Sequence, residues 1–167
     1  MDMLVPLYKI DLSGDCLEKV AKQGITIRRA MPYERDAIIS WVGQTFPSER
    51  HGWAGECKVA LSSVPVRCHI ATYDGELLGF ACFDATAKGM FGPTGIDEKN
   101  RGAGLGSALL ITSLSAMREA GYAYAVIGGV GEHVKGFYEA VVDAREIAGS
   151  EPGVYADPIQ PLTLRSG

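Results

Sequence analysis

The sequence has no long apolar run, no paired-cysteine motif and no cluster of basic residues, and each absence removes a class of protein. A membrane-spanning helix needs roughly 18 or more consecutive apolar residues, and no stretch approaches that length. The four cysteines, Cys16, Cys57, Cys68 and Cys82, form no CxxC pair. Such irregular spacing argues against a metal cluster or a disulfide framework and for small buried hydrophobes in a reducing compartment. His51, His69 and His133 stand at no ligand spacing, so no metal is expected. Met1 to Asp11, interrupted by Asp2, Pro6 and Lys9, does not read as a secretory signal. Sixteen Lys and Arg against 20 Asp and Glu give a net charge of -4. That balance speaks against general nucleic-acid binding but leaves room for a local basic spot. The expectation is a cytoplasmic protein with neither nucleic acid nor membrane as partner.

What is present fits one folded domain over residues 1–167, with 47% hydrophobic and 22% charged residues. Twenty-one glycines against 8 prolines imply many special turns. Leu4 to Ile10 reads as an edge strand broken by Pro6, and Asp15 to Lys22 as a short helix closed by Gly24. Ile25 to Arg29 alternates as a strand does. Pro32 opens a helix with Ile38, Ile39, Val42 and Phe46 on its buried face, and a second helix runs from Trp53 to Leu61.

Val66 to Tyr73 and Glu76 to Asp84 flank Asp74-Gly75, a two-residue hairpin loop. The second of these strands is apolar on both faces, so a sheet covered on both sides is expected. Met90 to Ile96 is an irregular strand containing Gly92, Pro93 and Gly95, a composition found at bulges and where ligands approach a backbone. Leu105 to Ala120 is the clearest helix. Tyr122 to Ile127, Glu132 to Val142 and Arg145 to Ala148 complete the chain as strand, helix and strand before the Pro152-Gly153 turn. The order predicts a mixed α/β sheet, antiparallel first, with a strand–helix–strand crossover later.

The most informative stretch is Arg101-Gly102-Ala103-Gly104-Leu105-Gly106-Ser107, between the irregular strand and the clearest helix. Glycines permit a tight turn, and the helix start offers unpaired N–H groups and a positive dipole end to phosphate oxygens. Arg101 adds a guanidinium suited to the same oxygens. A Walker loop requires a Lys-Ser or Lys-Thr that is missing. A dinucleotide fingerprint requires GxGxxG directly after a strand, whereas Gly102, Gly104 and Gly106 give GxGxG after a polar stretch. A purely structural turn is the remaining plain alternative.

Arg101, Gly104 and Gly106 match the RxxGxG loop of the Gcn5-related N-acetyltransferases, and the sequence resembles that superfamily from about Ile25 to Ala148. Residues 1–24 then form an N-terminal extension and 149–167 a C-terminal turn and tail. The resemblance implies a mixed, mostly antiparallel central sheet with helices on both faces, splayed at its middle strands. It implies acetyl-CoA as co-substrate, with its pyrophosphate on Arg101 to Ser107 and its pantetheine arm paired to main chain at Gly95 and Ile96. One of those N–H groups would polarise the thioester carbonyl; such a donor is typically worth ~2.7–4 kcal/mol. Tyr138, in the later Gly136-Phe137-Tyr138-Glu139, matches the tyrosine that often protonates the departing thiolate. Two departures stand out: Gly131 where many members carry asparagine, and Pro93, which removes one backbone donor from the splayed strand.

An attacking amine must lose a proton. Asp84, at the end of an apolar strand, is the first candidate to receive it, with Glu132 and Glu56 next. Each also reads as an ordinary surface or capping carboxylate. Cys82 lies in Phe80-Ala81-Cys82-Phe83 with no base beside it, so packing is favoured over a covalent role. Trp41, Trp53 and Tyr155 are either core or acceptor-site walls. The function expected is acetyl transfer from acetyl-CoA to a primary amine, on a small molecule or a peptide, by direct attack in a ternary complex. A CoA-binding sensor module without turnover and an unrelated nucleotide-binding protein are the alternatives, and the family allows a homodimer.

Overall fold

The computed structural model describes residues 1–159, apart from the side chains of residues 50 and 51. Alternating apolar residues build a sheet of seven strands: β1 (Met3–Pro6), β2 (Thr26–Arg29), β3 (Cys68–Tyr73), β4 (Glu76–Phe83), β5 (Met90–Ile96), β6 (Tyr124–Ile127) and β7 (Arg145–Glu146). Their spatial order is β2-β3-β4-β5-β6-β1-β7. Every neighbouring pair is antiparallel except β5 and β6. Those two parallel strands are joined through helix α4 (Leu105–Glu119), the crossover that parallel pairing requires.

β4 shows why the sheet is covered on both sides. Leu78, Ala81 and Phe83 face one core layer, and Phe80 and Cys82 the other. The first layer is filled by α4, by α1 (Asp15–Ala21) and by Tyr138 and Val142 of α5 (Glu132–Val142). The second is closed by α2 (Arg35–Thr45) and α3 (Arg50–Leu61). Asp74 and Gly75 join β3 to β4 with φ of 48° and 78°, the positive pair that a two-residue hairpin loop demands.

One expectation needs correction. The N-terminal strand is shorter than Leu4 to Ile10 and is not an edge: β1 lies between β6 and β7 and pairs with both. Met3, Val5 and Leu7 are fully buried, so the first residues of the chain are core. Pro6 is tolerated because it ends the strand. α2 is preceded by a 3₁₀ turn at Pro32–Glu34, and α3 begins three residues before Trp53. The remaining boundaries match the expected ones or shift by one or two residues. Among the described residues no helix is long and apolar enough to cross a membrane.

His69 of β3 is a buried polar residue between the sheet and α4. Its ring stacks on Phe83 at 6.0 Å, and Nδ1 lies 3.0 Å from Oγ of the fully buried Ser113. Burial, with a smaller effect of the Arg29 charge, lowers its pKa to about 4. The unfolded chain takes a proton at His69 near pH 6.5; the folded chain takes it only near pH 4. Stability from this site is therefore full above pH 6.5 and is lost as pH falls towards 4, by about 3 kcal/mol in all. Urea denaturation at pH 7 and pH 4.5 should show that loss, with most of it missing in His69→Gln. An equal acid dependence in the variant would contradict the assignment.

Candidate active site

The site begins where two neighbouring strands part. β5 and β6 pair only at Met90 with Val126 and Phe91 with Ile127. Beyond Phe91, β5 continues alongside β4, with Thr94 opposite Ala81, Gly95 opposite Phe80 and Ile96 opposite Gly79. Beyond Ile127, the chain follows β1: Val130 donates to the Met1 carbonyl, and the Met1 amine donates to the Val130 carbonyl. Asp2, buried beside β6, accepts from the Gly129 N–H at 3.0 Å and fixes that bend. The expected splay is thus present, from Gly92 onward.

Strand alternation decides which main-chain groups face the gap. The Asp97 N–H donates to Leu78 on β4, so the groups of Gly95 also point to β4, and those of Thr94 and Ile96 point to the gap. Ile96 therefore stands where a gap ligand could pair with it, and Thr94 joins it as a residue not anticipated from the motif. Gly95 contributes an absent side chain instead. A Cβ there would lie 2.6 Å from Phe46 and 3.0 Å from Trp53. These rings, with Trp41 and Phe80, form an aromatic cluster with centroids 5.1 to 6.3 Å apart. Pro93 lies where the β4–β5 register slips, opposite the stretch between Ala81 and Phe83, so its missing N–H falls in a bulge and not in a regular ladder.

At the far end of β5 the Arg101–Ser107 loop leads into α4. Gly102 and Gly104 have φ of 83° and 85°, a left-handed conformation costly for residues with a Cβ. A Cβ at Gly102 would meet nothing within 4 Å, so this part of the loop is open. No side chain caps α4, and its ladder starts with the Ala108 N–H donating to Gly104. The N–H groups of Leu105, Gly106 and Ser107 are therefore left for a ligand or water. Two neighbours brace the loop: Gln23 donates to the Ala103 carbonyl at 3.2 Å, and Phe137 of α5 packs over Gly106. Arg101 is exposed and makes no ion pair among the described residues. The cradle thus suits a diphosphate: open backbone, a dipole end and one guanidinium.

Tyr138 faces the core layer from α5 and is 9% exposed. Burial pushes its pKa up to about 12, so the phenol keeps its proton at any working pH. Its hydroxyl has no hydrogen-bond partner among the described residues and is not sealed from solvent, as every fully enclosed polar side-chain atom is paired. Gly131 caps the start of the same helix, and a side chain there would collide with the His133 ring at 2.9 Å.

Asp84 does not face the gap. It closes the β4–β5 loop, accepting from the Gly89 N–H at 2.7 Å and the Tyr122 hydroxyl at 2.8 Å, with Arg67 at 3.3 Å. Its own N–H donates to Met90, at the opposite end of β5 from Ile96. Both oxygens are committed to holding this loop. Glu132 is exposed in the first turn of α5, where it complements the helix dipole. Glu56 is half-buried on α3 and accepts from Thr86 and Tyr155. Cys82 is fully buried, its Sγ 3.9 Å from that of Cys57. The thiols of Cys57 and Cys68, together with burial, push its pKa well above the ordinary thiol range, and it forms no nucleophile.

The acetyltransferase (GNAT) family model matches residues 33–141, well over half of the chain. The chain therefore belongs to the GNAT acetyltransferase family, and its sheet and flanking helices are that fold. Among solved structures, it is similar to the GCN5-related glucosamine N-acetyltransferase region of a fungal multi-domain GH3 β-N-acetylglucosaminidase (TM-score 0.66, 13% identity, 84% of this chain and 19% of that one). It is similar to a Drosophila protein (TM-score 0.62, 12% identity, 87% of this chain and 46% of that one). A third similar structure is a GNAT family acetyltransferase from Brucella melitensis in complex with acetyl-CoA (TM-score 0.51, 21% identity, 68% of this chain and 80% of that one). Identities this low speak to fold alone. No curated protein matches the chain by sequence.

The close approach at Gly95 carries a direct test. Gly95→Ala places a methyl group against Phe46 and Trp53, and overpacking of this kind costs about 1–3 kcal/mol. Thermal unfolding should show the loss. An unchanged midpoint would mean the rings are not seated on Gly95.

Proposed function

We propose that the protein transfers an acetyl group from acetyl-CoA to a primary amine, on a small molecule or a peptide, by direct attack in a ternary complex. The observation carrying this reading is the parted pair of strands, with main chain facing the gap at one end and an uncapped helix start at the other. Arg101 and the N–H groups of Leu105, Gly106 and Ser107 would hold the diphosphate. Thr94 and Ile96 would pair with the pantetheine arm, leaving a fixed N–H for the thioester oxygen as charge develops there. Bound acetyl-CoA supplies the activated carbonyl.

The remaining tasks are proton movements. A phenol that stays protonated is suited to give its proton to the leaving thiolate, and Tyr138 takes that role in this reading. The proton that the attacking amine loses passes to water in the gap, and we assign Asp84 to the loop because both of its oxygens are already engaged there. A second reading, CoA binding without turnover, draws on Gly131 at the start of α5 and on that engagement of Asp84.

Calorimetry with acetyl-CoA should show saturable binding, weakened about 10- to 100-fold in Arg101→Glu, as expected for losing a charge-assisted phosphate contact. No heat with the natural chain would contradict the proposal. Thiol release with an amine panel separates the two readings. Tyr138→Phe should lower kcat by about 100-fold with acetyl-CoA affinity unchanged. Equal kcat in the variant would remove Tyr138 from the chemistry.

A further inference from the structure

α3 brings two side chains to the parting of β5 and β6. Trp53 covers Gly95, and Glu56, three residues on, shares that side of the helix. Thr86, just before β5, and Tyr155, from the C-terminal turn, both donate to Glu56 Oε1, the tyrosine at 3.0 Å. The two hydroxyls lie 3.1 Å apart. Among the described residues, Glu56 Oε2 has no hydrogen-bond partner and no cationic side chain pairs with this carboxylate.

The position of the group is as telling as its bonding. The Tyr155 ring lies across the end of β6, within 3.1 to 3.4 Å of where side chains at Gly129 and Gly128 would begin. Gly92, at the point where the strands part, has nothing within 4 Å of its missing side chain. Tyr155 therefore stands at the parting, and its hydrogen bonds hold Glu56 and Thr86 beside it, whereas Tyr138 belongs to the core layer opposite that of Trp53. Burial pushes the Tyr155 hydroxyl to a pKa of about 12, so it remains a donor to the carboxylate.

A half-buried carboxylate held at one oxygen by two hydroxyls, with no cationic partner among the described residues, calls for a positive partner. A primary alkyl amine, with a pKa near 10, arrives as its ammonium ion. We propose that Glu56 receives the ammonium group of the acceptor, with Thr86 and Tyr155 as positioning residues that orient its carboxylate. This rests on the acyl-transfer reading above and adds to it the acceptor class: a cationic aliphatic amine, not an aromatic amine that is neutral at pH 7. It also gives the C-terminal turn a task, since Tyr155 completes the site.

The test uses the full chain with CoA bound, titrated with 1,4-diaminobutane, glucosamine and a lysyl peptide, alongside acetylation rates for the same three amines. The natural chain should bind at least one of them saturably. Glu56→Gln should raise KM for that amine about 10- to 100-fold, with kcat changed far less and CoA affinity unchanged. Tyr155→Phe, which keeps the ring on Gly128 and Gly129, should raise the same KM about threefold with the same unfolding midpoint. Unchanged KM in Glu56→Gln would overturn the proposal. So would saturable CoA binding without binding of any of the three amines. Absent CoA binding in the natural chain would overturn it too, and would identify the acyl-transfer reading as the part that failed.

Discussion

The parting of β5 and β6 follows from hydrogen bonding on the outer sides of both strands. β5 is held to β4 by pairing from Phe91 to Ile96, and the chain after β6 is held to the N-terminus through Val130 and Met1. Neither can bend towards the other without breaking a ladder already made. The main-chain groups of Thr94 and Ile96 are left facing a gap. Unpaired groups of this kind cost about 1–3 kcal/mol each when dry, so the gap must be filled by water or by a ligand with matching polar atoms. The site is a consequence of strand competition, with few side chains of its own.

The same competition gives the N-terminus its importance. β1 supplies the partner that draws the end of β6 away, and the buried carboxylate of Asp2 fixes the Gly129 bend. Gln23, just after α1, then braces the Arg101–Ser107 loop. Residues 1–24, an extension when judged by the family motif, thus support both ends of the site. α4 ties these ends together, because it crosses from β5 to β6 and presents its uncapped start to the loop.

Much of this was legible in the sequence because its signals are local. The loop from Arg101 to Ser107, the hairpin at Asp74-Gly75 and the helices beginning at Leu105 and Glu132 each rest on residues close together in the chain. What was not legible depends on partners far apart. Nothing near Leu4 says that it will pair with Val126, so an inner strand reads as an edge. Asp84 looks like a free carboxylate until Tyr122 and Arg67 reach it from elsewhere. Gly95 reads as a ligand contact, yet its orientation follows from its register with Phe80, and Thr94 was missed for the same reason. Glu56 stood behind Asp84 among the candidate carboxylates in the sequence, since Thr86 and Tyr155 join it only through the fold.

The central claim is that the gap and the start of α4 receive coenzyme A through main-chain N–H groups. Amide hydrogen exchange resolved by residue tests it most directly, with and without saturating CoA. The account predicts slowed exchange at Thr94, Ile96, Leu105, Gly106 and Ser107, while the amide of Gly95, already bonded to β4, changes little. Equal exchange in both states at these five positions would contradict it.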